Sequence, residues 1–144
     1  MNVMHHAGPV EVVVLGIQPG EMLLESIEEA CRERDIRNGA VVSGIGTLET
    51  CRMHYITHTG FPPTDEFARL EKPLELVNVS GVIADGKPHL HMTVSCKHEG
   101  TWAGHLEPGS RVLYLAEVVV LKFNDLEMTR RLDEERKVQL LGAK

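Results

Sequence analysis

The sequence predicts an α+β fold: a mostly antiparallel β-sheet packed with one main α-helix. Two observations carry that expectation. A single stretch, Glu21–Gly39, repeats its apolar residues at helical spacing. Nearly everything after it is rich in β-branched residues or alternates apolar with polar, in runs separated by tight Gly-, Pro- and Asp-containing turns.

The elements follow in order. "PVEVVVLGI" (Pro9–Ile17) reads as a first strand, broken by Pro19-Gly20. In the helix, Leu23, Ile27, Ala30, Cys31 and Arg34 share one face. Glu21 and Glu25 lie near its positive end, and Arg32, Arg34 and Arg37 near its negative end. Asn38-Gly39 is expected to supply the left-handed stop. "AVVSGIGTLETCRMHYITH" (Ala40–His58) is a strand bent at Gly44 and Gly46, and "FPPTDEF" is a loop. "PLELVNVSGVIA" (Pro73–Ala84) is a strand, and "DGKP" a turn into "GKPHLHMTVS". After the turn "KHEG" come the short strand "TWAGHL", the turn "EPGS" and the long strand "RVLYLAEVVVLKF" (Arg111–Phe123). The polar tail reads as a short helix or an arm. The expected organisation is one domain over residues 1–144, with a core of about 10–123 and a tail of 124–144.

Composition narrows the function. Hydrophobic residues at 42% and charged residues at 25% are values of a soluble globular chain, and no apolar run is long enough to cross a bilayer. The N-terminus lacks the pattern of a secretory signal. Cys31, Cys51 and Cys96 are odd in number and widely spaced, as in a reducing cytosol, so a cytoplasmic protein is expected. A formal net charge of −6 argues against a protein that holds DNA chiefly through its phosphates.

Few residues carry chemistry. "SGIGT" (Ser43–Thr47) has neither the spacing nor the lysine of a phosphate cradle, so Gly44 and Gly46 are read as structural, marking a bend or the close approach of another backbone. Glu117, inside the apolar run "VLYLAEVVV", either faces solvent or meets a cation, a histidine or a metal; Glu75 in "PLELVNV" poses the same question less sharply. The histidines say more. His89 and His91 fall on one face of their strand, about 7 Å apart, with Leu90 and Met92 on the other. His105, on the next strand, can be brought beside them across one turn. Three neutral imidazoles suffice for zinc or a similar divalent ion, leaving a position for water or a ligand. His54 and His58 look less well placed, and His5 and His6 lie in the terminus.

The run "ELVNVSGVIADGKPHLHMTVS" with "GHLEPGSRVLYLAEVVV" closely resembles the plants-and-prokaryotes-conserved (PPC) domain. "LGIQPGEMLLESIEEAC" and "GAVVSGIGTLET" fit the same family, so the resemblance covers roughly Val10–Phe123. It implies an α+β fold assembled as a homotrimer. It also implies a bound metal, commonly zinc, at the positions of His89, His91 and His105. Many family members carry a DNA-binding label, and in plants the domain is joined to AT-hooks, whose Arg-Gly-Arg-Pro core is missing from this sequence.

Three function classes follow. The first is a homotrimeric metal-binding module for regulation or protein interaction. The second is a metal-dependent enzyme acting on a small molecule, with Glu117 or Glu75 as its base. The third is a direct DNA binder. It would need Arg130, Arg131, Arg136 and Lys137, but these alternate with Asp133, Glu134 and Glu135, so contact with DNA is expected to be weak or indirect. The first is preferred and the enzyme is the alternative, with no catalytic residue assigned.

Overall fold

The computed structural model describes residues 1–144. Strand β1 (Val10–Ile17) is followed by the helix α1 (Leu23–Glu33) and the long strands β2 (Gly39–Ile56) and β3 (Asp65–Ala84). Then come β4 (Lys87–Cys96), β5 (Gly100–Leu106), β6 (Arg111–Phe123), β7 (Met128–Asp133) and β8 (Val138–Ala143). The first six strands form one antiparallel sheet in the order β1-β6-β2-β3-β4-β5. The remaining two form a separate hairpin.

Strand parity decides what is buried. In β4, Leu90, Met92 and Val94 turn into the core, while His89 and His91 stay exposed on the other face. Val112, Ala116, Val118 and Val120 do the same in β6, and Leu23, Leu24, Ile27 and Cys31 of α1 close the core from above. The helix ends earlier than expected. Its cap is Arg34, followed by Asp35 at φ 49°, and Asn38 instead directly precedes β2, which Gly39 opens. Asn38 is buried because its side-chain oxygen accepts the backbone N–H of Met128 at 2.9 Å, so its role is to dock the C-terminal hairpin.

Two further expectations are corrected. Strand β3 begins at Asp65, so all of "DEF" pairs with β2 instead of belonging to a loop. The tail is a β-hairpin, not a helix. Its charged turn owes its shape to Asp133, whose carboxylate accepts the N–H groups of Glu135 and Arg136. The acidic and basic residues that looked helical are therefore used in the turn.

One feature of the sheet positions the site. Strand β2 pairs with β3 and β6 along its length, and its far end also meets β5, at Met53–Leu106 and His54–His105. The β2-β3-β4-β5 ribbon thus closes on itself. Glycines permit the tight curvature: a Cβ on Gly44 would lie 2.0 Å from Val79 Cγ1, and one on Gly46 would lie 2.3 Å from the Leu115 carbonyl oxygen. Gly104 lets β5 reach β2, since a Cβ there would come within 2.8 Å of the His54 carbonyl.

Candidate metal centre

The antiparallel register sets His91 directly opposite His105, so both rings rise from one face. His89, two residues along, joins them. Ring centroids are 5.5 Å apart for His89–His91, 4.8 Å for His89–His105 and 5.3 Å for His91–His105. One nitrogen from each can be chosen so that all three lie within 4.8 Å of one another. Bonds of about 2.0–2.1 Å around zinc need only a modest drawing-in of these rings. The donor set fits such an ion, and two of its imidazoles, His89 and His105, are shifted toward the neutral form. Burial, with the neighbouring His54 and His89 rings, pushes His105 down to about 4. Burial and then Arg130 keep His89 below its usual range. An imidazole without its extra proton has a lone pair to offer.

His54 belongs to this constellation, against expectation. Closure of the ribbon stacks its ring on His105 at 4.4 Å. Glu107 completes it: its Oε1 accepts from His54 Nδ1 at 2.6 Å and lies 3.9 Å from His105 Nε2. The backbone fixes that carboxylate, since Glu107 N–H donates to the Arg52 carbonyl at 3.0 Å. The buried Ser110 hydroxyl accepts the Arg52 N–H at 2.9 Å and pins the same turn. His54, His105 and Glu107 form a second group whose donor atoms lie within 4.8 Å of one another. Glu107 was legible in principle, because it follows His105 by two residues and so shares its face. His54 was not, because only the β2–β5 closure brings it near.

The carboxylates singled out in the sequence lie elsewhere. Glu117 and Glu75 are exposed, on strands β6 and β3, and neither approaches the histidines. Glu117 pairs in register with Gly16 and Ile45, on the sheet face away from the helix. Being solvated there in the single chain, it needs no cation. Of the two readings open for Glu117, the single chain takes the solvent-facing one, and the carboxylate beside the histidines is Glu107.

The histidines form part of the wall of a cavity of about 810 Å³. Lys87, Thr129, Arg130 and Gln139 also line it, the last three from the C-terminal hairpin. Arg130 ties that hairpin to the β3–β4 turn by donating to the Val82 carbonyl at 2.8 Å and the Lys87 carbonyl at 3.0 Å.

Residues 4–124 match the Plants and Prokaryotes Conserved domain, abbreviated PCC or PPC. The chain belongs to this family. Among solved PCC-like structures, the metal-containing protein from Archaeoglobus fulgidus is 26% identical. It superposes with a TM-score of 0.80 over 97% of this chain and 98% of its own. A protein from Bacteroides thetaiotaomicron with a provisional DNA-binding name is 17% identical, with a TM-score of 0.80 over 97% of each chain, and shares the fold. The bifunctional protein GlmU of a Synechococcus strain is 29% identical over 126 residues, which is 88% of this chain and 19% of that relative. The PCC chain thus spans less than a fifth of the curated relative it matches. No helix of the protein is long and apolar enough to cross a membrane.

Proposed function

We propose that this PCC protein is a homotrimeric, cytoplasmic module for regulation or protein interaction, built around one divalent metal, zinc in the first instance, held by His89, His91 and His105. The gathering of three imidazoles, with one nitrogen of each within 4.8 Å of the others, is the observation that carries the metal reading. The metal-containing relative from Archaeoglobus supports it. Elemental analysis of the purified protein tests it. One metal per chain is expected in the wild type and a loss of at least about tenfold in H91A or H105A, in line with losing one of three protein ligands. The core lies on the opposite strand face, so both variants should keep the wild-type fold by circular dichroism. Equal metal in wild type and a triple histidine-to-alanine variant would falsify the site.

A second reading, a metal-dependent enzyme acting on a small molecule, is favoured by one observation. The histidines open onto a cavity, with the Glu107–His54 pair beside them. A bound metal would supply Lewis acidity and an activated water. Glu107 and His54 would hold or accept the proton, the role the sequence had offered to Glu117 or Glu75.

DNA contact is assigned only a weak or indirect part. The −6 charge supports this. In the tail, Arg136 is bonded to Asp133 and Lys137 to Glu134, so these cations are already paired. Gel-shift titration at physiological salt should show no sequence-dependent complex below about 1 μM. Submicromolar specific binding would make DNA recognition the primary function.

A further inference from the structure

The cavity beside the histidines has a charge balance opposite to that of the whole chain. Its one acidic side chain, Asp85, is bonded to both Lys144 and Arg37, which in that order hold its carboxyl below the usual range. Lys137 is bonded to Glu134. Lys87 and Arg130 have no carboxylate within ion-pair distance, and the imidazoles around them are donors or lone pairs without negative charge.

Arg130 is the informative residue. Its guanidinium is partly buried against backbone carbonyls, and that desolvation disfavours its charge. A side chain serving only to clip the hairpin needs hydrogen bonds, not a permanent cation. Burying a cation without a counter-charge is costly. The two carbonyls use two of the five N–H donors of a guanidinium and hold its plane in place, leaving the others for a planar acidic group. A volume of about 810 Å³ is in the range of small-molecule sites.

We propose that this cavity binds a small anionic molecule bearing a carboxylate or phosphate group, whose acidic oxygens are held by Arg130 and Lys87 within reach of the histidine-bound metal. The site deepens the metal reading and rests on it for one of its contacts. Arg130 stands in the hairpin Met128–Ala143, beyond the family match that ends at residue 124. Selectivity for the anion therefore comes from a segment outside the matched domain, while the metal ligands lie inside it.

Isothermal titration calorimetry of the zinc-loaded protein with inorganic phosphate, and separately with malonate, tests the site and distinguishes the two headgroups. Saturable binding of at least one probe is expected below about 10 mM, an affinity modest enough for a fragment of the full ligand. R130Q should weaken it about tenfold, the loss of one charge-assisted contact. R131Q, at an exposed neighbouring position that does not line the cavity, should leave it unchanged. R130Q could also loosen the hairpin, so K87E serves as the second variant. It reverses a cavity charge but leaves the Lys87 carbonyl free to accept from Arg130, and about tenfold weaker binding is again expected. The proposal is overturned by the absence of saturable binding for both probes, by unchanged affinity in R130Q, or by a loss confined to R130Q with K87E unaffected. Metal content measured on the same samples separates the two readings. Arg130-dependent binding in protein that takes up no zinc keeps the anion site and sinks the metal centre.

Discussion

His105 is where burial, charge and register meet. It pairs with His91 on one side and His54 on the other, and burial pushes it down to about 4 against an ordinary value near 6.5. In metal-free protein the consequence has a definite sign. Above pH 6.5 both folded and unfolded chains carry a neutral His105, so it contributes no pH dependence. Between pH 6.5 and 4 the unfolded chain takes up a proton that the folded chain refuses, so stability falls as pH falls and levels off below 4. With partial exposure screening the effect, the loss amounts to roughly 2 kcal/mol. Urea denaturation of chelator-treated protein from pH 7.5 to 4 should show it, and H105Q should remove most of the slope, His89 supplying a smaller part of the same sign. An identical slope in both proteins would mean that other groups carry the pH dependence. At this scale the sequence was partly legible. The i, i+2 spacing of His89 and His91 and the single turn to His105 are local facts. His54 lies far from His105 along the chain and joins it only through a closure that no short-range pattern records.

Between β3 and β4, one glycine governs how closely the histidine strand can lie. Gly81 pairs with Leu90, and a Cβ built on it would stand 2.0 Å from the carbonyl oxygen of His89. That neighbour is backbone and cannot rotate away. G81A should therefore force the two strands apart at His89, costing about 2–3 kcal/mol as overpacking does. The midpoint of thermal unfolding should fall by about 5–10 °C, and metal content should fall with it because His89 moves. A variant with unchanged melting and metal content would show that the sheet yields there freely. The elements themselves were well marked where periodicity is strong. The apolar alternation of β4 and the turn "DGKP" are read directly, and Asp85 and Gly86 take the positive φ values of 50° and 75° that a tight hairpin needs. The tail misled because its charges imitate a solvated helix, whereas their partners are one another across a turn. The long-range tie from Asn38 to Met128 that docks the hairpin leaves no signature at either end.

Across the whole molecule, the sheet has two faces and the helix covers one. On the other, Val14 pairs with Val119 and Val12 with Leu121, while Ile45 lies beside Glu117. Val12, Val14 and Ile45 are 63%, 67% and 50% exposed in the single chain, and Leu115 on the same strand as Glu117 is 48% exposed. Exposed apolar residues gathered on one face, here around the lone carboxylate of Glu117, are the kind of surface that another chain can cover. In β6, Val112, Ala116, Val118 and Val120 turn inward while Leu115, Glu117 and Val119 lie on this face, and Tyr114 is exposed as well. A second copy of the chain is the occupant that the homotrimer reading requires. V14D should then abolish assembly, because a carboxylate buried there without a partner costs several kcal/mol per interface. The same substitution should leave the monomer folded, since Val14 is not part of its core. Multi-angle light scattering at about 10 μM should report three chains for the wild type and one for V14D. A wild-type monomer at that concentration would remove the trimer from the proposal and leave the apolar face to some other partner. A V14D trimer would place the interface elsewhere on the molecule.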